Sequence, residues 1–190
     1  MAKERRFEKR GYLRYIRQTA DGSYVYTGGY YALAGGGYGA LLRRVFALVL
    51  PAAACEIAFG VLPNPAMTFG VVQTSTITSV YVVIPYLLAF ALTGSVTWAV
   101  LRLFTNEKPL REYIYKVTIK QLPVRCVLAS IGAGAVIAGE TVFLILHGAG
   151  GQTGWVIAAY GLQACALALE LLLRRYIKNT EWHFSGENKQ

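Results

Sequence analysis

The sequence predicts an all-α integral membrane protein: a bundle of four transmembrane helices with a small cytoplasmic β-hairpin near the amino terminus. Three observations favour this class. The chain contains long apolar runs, its basic residues are confined to three blocks, and a turn signal separates two short aromatic runs. Hydrophobic residues make up 55% of the 190 residues, which exceeds the share usual in soluble domains.

Four apolar runs are long enough to cross a bilayer, whose core of about 30 Å needs about 20 residues in helix. The predicted spans are 45–62, 80–104, 126–146 and 154–173. They define a transmembrane domain over 43–175. We expect the flanking regions, a segment over 1–42 with a hairpin and a Gly-rich hinge and a tail over 176–190, to be cytoplasmic.

The 19 basic residues divide into blocks of nine, six and four, within 3–44, 102–125 and 174–189. The two intervals between the blocks contain no Lys or Arg, and each is long enough for two spans. Such a bias is typical of cytoplasmic flanks, so we expect a multi-pass protein of the cell membrane with both termini inside.

The net charge of +9 predicts attraction to anionic lipids at that face. Nucleic acid is not an expected partner, because the charge is dispersed and no reader motif occurs.

The amino-terminal segment contains Asp21-Gly22, a strong hairpin signal, between the runs 11–17 and 24–27. Glycines over 28–39 could form a phosphate-binding loop or a hinge. The hinge is favoured because no Gly-Lys-Ser/Thr follows. Residues 113–119 alternate with a period of two and predict a third strand that extends the hairpin, while an interfacial amphipathic helix is an open alternative.

The candidate ion- or substrate-binding residues are Glu56 and Glu140, which fall in the first and third spans. Carboxylates are costly in the bilayer and usually face a bundle interior or a wet cavity. The structural alternative is that each glutamate ties helices together through hydrogen bonds. Polar residues of the spans that could partner them are Thr93, Ser95, Thr97, Ser130, Thr141 and Gln163.

Glu56 and Glu140 lie at similar depth, and each is followed by a phenylalanine three residues later. This match predicts a 2+2 parallel repeat, in which both glutamates point toward a common axis and at least one is neutral at pH 7. Glycines over 132–139 predict a small-residue face on the third span, which we expect to contact the fourth span or a second copy.

Two secondary candidates are Glu170 and His147. Glu170 is four residues before Arg174, so a local ion pair is the expected role. His147 falls in an outer turn, where it could relay protons toward Glu140 or be merely solvated.

No complete catalytic or metal signature occurs, and the three cysteines form no CxxC pair, so we expect neither an enzyme nor a cofactor or metal site. The leading hypothesis is a transport-related protein, either a carboxylate-dependent carrier working as a homo-oligomer or a membrane subunit of a larger transporter complex. The alternative is a non-catalytic scaffold or regulator whose Tyr-rich hairpin binds a soluble partner.

Overall fold

The protein is described by a computed structural model over residues 15–19, 21–35, 37–62, 80–106, 109–148 and 153–187, without the side chain of His147. Within these ranges the chain is mostly helical, and four helices are long and apolar enough to cross a membrane. A small hairpin precedes them. The expected outer turns over 63–79 and 147–153 and the first residues of the hairpin run lie largely or wholly outside the described residues.

The long helices are α1 (Tyr38–Val61), α2 (Val80–Thr105), α4 (Leu122–His147) and α5 (Thr153–Lys178). At a rise of about 1.5 Å per residue, each is about 36–39 Å long. Helix α1 begins before residue 45 because Leu41 and Leu42 are buried while Arg43 is exposed. A span predicted from hydropathy alone ends at such charged residues, whereas the helix itself continues through an amphipathic turn.

The expected hairpin is confirmed by strands β1 (Ile16–Gln18) and β2 (Tyr24–Tyr26), which pair antiparallel. Its turn is closed by Asp21, whose Oδ1 accepts hydrogen bonds from the backbone N–H and the hydroxyl of Ser23 at 3.1 and 2.8 Å. These bonds lower the pKa of the Asp21 carboxyl. Gly22 supplies the positive φ of +85° that the turn requires.

A second sheet joins three segments that are distant in sequence. Its central strand, β3 (Gly29–Leu33), lies within the expected hinge, and β4 (Leu110–Arg111) and β5 (Trp182–Glu187) pair with it on either side, both antiparallel. Because β3 precedes α1, β4 follows α2 and β5 follows α5, the sheet lies at one end of the helices. The flanks that carry the three basic blocks therefore meet at that end.

The strand expected over 113–119 is wrong, and the helical alternative is confirmed. After the short β4, the chain forms helix α3 (Glu112–Val117). Ile114 and Thr118, at the end of the helix, are buried, and their spacing of four places them on one side of a helical turn. Burial of this side of the turn thus outweighs the preference of the alternating β-branched residues for a strand.

Each long helix packs against two others: α1 and α4 occupy opposite corners, and each contacts both α2 and α5. Two glycines of the small-residue face of α4 meet α2, which was not expected, whereas Gly134 lies toward Leu167 of the fourth span. A Cβ at Gly132 would lie 2.9 Å from the Cα of Ala89, and one at Gly139 would collide with the backbone of Tyr81. The two glycines, seven residues apart, therefore permit this close approach.

Candidate carboxylate site

Glu56 is on the buried stripe of α1 and is only 1% exposed. Its Oε2 accepts a hydrogen bond of 3.3 Å from Nε2 of Gln163 on α5. Its Oε1 is buried and has no hydrogen-bond partner within the described part of the chain. One carboxyl oxygen of Glu56 is therefore fixed by a hydrogen bond, and the other is an acceptor that a proton or a cation could use.

Glu170, also 1% exposed, accepts a 2.6 Å hydrogen bond at Oε1 from the hydroxyl of Thr93 on α2. Ser130 of α4 is a second hydrogen-bonding neighbour of this carboxyl. Its Oε2 has no hydrogen-bond partner among the residues described. We call Glu56, Thr93, Ser130, Gln163 and Glu170 the carboxylate cluster, to which all four long helices contribute.

Helix geometry explains why α5 supplies two members of the cluster. The buried residues of α5 follow one another at spacings of three and four, which is the pattern of a single helix face. They are Val156, Ala159, Gln163, Ala166, Glu170, Leu173 and Ile177. Gln163 and Glu170 are thus two turns apart on the face that packs against α1 and α4.

The ion pair expected between Glu170 and Arg174 does not occur. The only salt bridge among the described residues joins Lys116 to Glu112, and Glu170 bonds Thr93 instead. Glu170 points into the bundle, while Arg174 is only partly buried. The i, i+4 spacing permits a pair, but it does not place both side chains on the buried stripe.

Glu140 is also buried, at 2% exposure. It lies 18 residues after the first residue of α4, Leu122, and Glu56 lies 18 residues after the first residue of α1, Tyr38. The two glutamates therefore occupy equivalent positions in helices at opposite corners. Within the cluster, Gln163 donates the hydrogen bond that Glu56 accepts, and the expectation that Glu56 and Glu140 point toward a common axis stays a prediction.

The other polar candidates form hydrogen bonds outside the cluster. Ser95 donates to the backbone oxygen of Leu92, and Thr97 donates to that of Thr93. Thr141 bonds the hydroxyl of Tyr160 at 2.7 Å. Of the six polar partners expected from sequence, Thr93, Ser130 and Gln163 are those that contact the carboxylates of the cluster.

A groove of about 250 Å³ runs between α1 and α2 and reaches the cluster. Its lining residues are Ala53, Glu56, Ile57, Phe90, Thr93, Gly94, Thr97, Trp98 and Leu101. Gly94 keeps it open, since a Cβ there would meet nothing within 4 Å. Phe90 and Trp98 are exposed, so the groove connects the cluster with the outer surface of the helices.

No group of three or more His, Cys, Asp or Glu residues suited to a metal ion occurs in the described ranges. The side chain of His147 is outside them, so its expected relay role stays a prediction. Cys55 on α1 and Cys165 on α5 lie within hydrogen-bonding reach of each other, while Cys126 is buried on α4.

Comparison with protein-family models, with curated proteins and with solved structures gave no match.

Proposed function

We propose that the four long helices cross the cell membrane with the sheet and both termini on the cytoplasmic side. Their lengths, about 36–39 Å, suit a bilayer core of about 30 Å. The sheet holds the flanks that carry the three basic blocks at one end of the helices. An excess of Lys and Arg is typical of cytoplasmic segments. The equivalent positions of Glu56 and Glu140 support a 2+2 parallel repeat, with α1 and α2 corresponding to α4 and α5.

Within this frame we propose a transport-related function: a carboxylate-dependent carrier of protons or cations, working as an oligomer or as the membrane subunit of a larger transporter. The observation that carries the proposal is the carboxylate cluster. Glu56 and Glu170 are both buried, and each keeps one oxygen without a hydrogen bond to the described residues. A merely structural tie between helices would be expected to satisfy these oxygens.

Thr93 links the two carboxyl groups, because it lines the groove beside Glu56 and donates to Glu170, and this link supports a binding cycle. Two negative charges in one apolar site repel each other, so the site favours holding a proton or a cation over remaining doubly charged. A cation that enters the groove can displace a proton from Glu56, and proton return can release the cation. Thr93 and Gln163 hold the carboxylates in place during this exchange.

The proposal is tested with proteoliposomes that contain a trapped pH dye, after addition of sodium, potassium or a tetraalkylammonium salt outside. We expect the wild type to release protons in response to at least one cation, and Glu56→Gln and Glu170→Gln to lose this response. Glu181→Gln is the matched control, because Glu181 is outside the helices. Absence of any cation-dependent proton release from correctly folded wild type, or full activity of both variants, would overturn the proposal.

Access through the groove is tested in the same assay. Gly94→Leu should fill the groove and abolish proton release without unfolding the helix, since the position has open space around it. Gly161→Leu is the control, because Gly161 is also an exposed mid-helix glycine with nothing within 4 Å of a Cβ. Equal activity of the two variants would contradict entry by this route.

A second candidate function is a scaffold or regulator that binds a soluble partner through the hairpin. The exposure of apolar side chains favours it: Tyr24 and Val25 on β2 are 69% and 46% exposed. Replacement of both by Ser should remove a scaffold function and leave cation-dependent proton release unchanged. The Glu56→Gln variant should show the opposite pattern.

A further inference from the structure

A separate cavity, of about 360 Å³, lies where the hairpin meets the sheet end of α2. It is lined by Ile16, Tyr26, Arg102, Arg111, Tyr113 and Ile114. We call it the arginine pocket. It shares no residue with the carboxylate cluster or with the groove.

Two tyrosines orient the two guanidinium groups of the pocket. The Cζ of Arg102 lies 5.2 Å from the ring centre of Tyr113, and its Nη2 donates a hydrogen bond of 3.1 Å to the Tyr113 hydroxyl. The Cζ of Arg111 lies 5.3 Å from the ring centre of Tyr26. Stacking on aromatic rings restricts a guanidinium without neutralising its charge.

Among the described residues, no acidic side chain lines the pocket and neither arginine forms a salt bridge. The described carboxylate nearest to the two arginines in sequence is Glu112. It is engaged by Lys116 and by the backbone N–H of Gly29, which donates at 3.3 Å. Within the described part of the chain, the pocket therefore presents two positive charges without an acidic partner, on side chains that aromatic rings hold in place.

Two arginines converging on one cavity are suited to a phosphate group, because each planar guanidinium can donate two parallel hydrogen bonds to its oxygens. The level of the pocket identifies the source of the phosphate. Arg102 is in the last turn of α2, where the apolar helix meets the polar sheet, and Ile16 and Ile114 add apolar walls. A phosphate at that level beside apolar contacts is characteristic of a phospholipid headgroup.

We propose that the arginine pocket is a specific binding site for the headgroup of an anionic phospholipid. The inference rests on the membrane insertion proposed above and not on transport. Binding at this site would fasten the hairpin, β4 and the end of α2 to the bilayer surface. It differs from general attraction to the membrane because it requires two particular arginines.

The test measures binding of short-chain phosphatidylglycerol and phosphatidylcholine to the full-length protein in neutral detergent. We expect phosphatidylglycerol to bind more tightly, and the double variant Arg102→Gln/Arg111→Gln to bind it roughly tenfold or more weakly, which corresponds to losing charge-assisted hydrogen bonds. Arg175→Gln is the matched control, since Arg175 is an exposed arginine in the last turn of α5. It should bind within about twofold of the wild type, as expected for a screened surface charge.

Three results would overturn the proposal: equal affinity for the two lipids, equal loss in Arg175→Gln and in the double variant, or tighter binding of inorganic phosphate than of phosphatidylglycerol. The last result would indicate a site for a soluble phosphate. Arg102→Lys/Arg111→Lys guards against a folding artefact because it keeps both charges and loses the planar guanidinium. We expect it to fold like the wild type and to bind the lipid with intermediate affinity, and unchanged affinity would also contradict the proposal.

Discussion

Among the residues of the cluster, Thr93 makes the contact on which Glu170 depends most directly. Its hydroxyl reaches across the bundle from α2 to α5, which lie at opposite corners. A buried acceptor whose donor is removed destabilises the folded state by about 1–3 kcal/mol, because its lost hydration is no longer compensated. The hydrogen bond therefore offsets part of the cost of placing a carboxyl group among apolar helices.

We predict that Thr93→Val, which keeps the shape of the side chain and removes the hydroxyl, destabilises the protein by about 1–3 kcal/mol relative to Thr93→Ser. Thermal unfolding in detergent measures the difference. Thr97→Val is a useful control, because Thr97 bonds only a backbone oxygen within its own helix. If Thr93→Val and Thr93→Ser unfold at the same temperature, the hydrogen bond to Glu170 makes no net contribution.

Burial of Glu56 and Glu140 could be predicted from sequence, because a carboxylate in an apolar span has a strong physical reason to avoid lipid, whereas Glu170 was expected to pair with Arg174. Their partners could be named only as a set of polar residues. The hydrogen bond from Gln163 to Glu56 depends on α1 lying beside α5. The hydropathy of the spans does not encode that order.

Among the secondary elements, the helices were predicted better than the strands. A long apolar run has one stable form in a bilayer, so all four helices were found, with errors at their amphipathic ends. Strand β5 was missed because its pairing with β3 joins the two ends of the chain, and no local pattern reports such a contact. The same sheet explains why residues 29–33, with glycines on either side, form a strand instead of a hinge.

The packing of α1 against α5 can be tested with native cysteines. Cys55 and Cys165 approach each other across this interface, so a mild oxidant such as copper phenanthroline should join them in an intramolecular disulfide. We expect the number of maleimide-reactive thiols in denatured protein to fall from three to one. Cys126→Ser should not prevent the disulfide, whereas Cys55→Ser should. Retention of all three reactive thiols after oxidation would contradict the contact.

For the whole molecule, the sequence predicted how charge is arranged but did not predict the sheet that underlies this arrangement. The distribution of basic residues predicted that three flanks share one side. The sheet of β3, β4 and β5 is consistent with this, since it holds those flanks together at one end of the helices. Positive groups thus gather at the sheet end, while Glu56 and Glu170 are buried within the bundle. This separation suits a protein that binds a proton or a cation at the cluster.

The central claim is that Glu56 and Glu170 form one shared charge-binding site. The most direct test is the charge displaced by a pH jump across proteoliposomes adsorbed on a solid-supported membrane, for the wild type, Glu56→Gln, Glu170→Gln and the double variant. If the site is shared, each single variant loses most of the displaced charge and the double variant loses little more. Losses that add independently in the double variant, or no loss in either single variant, would contradict the claim.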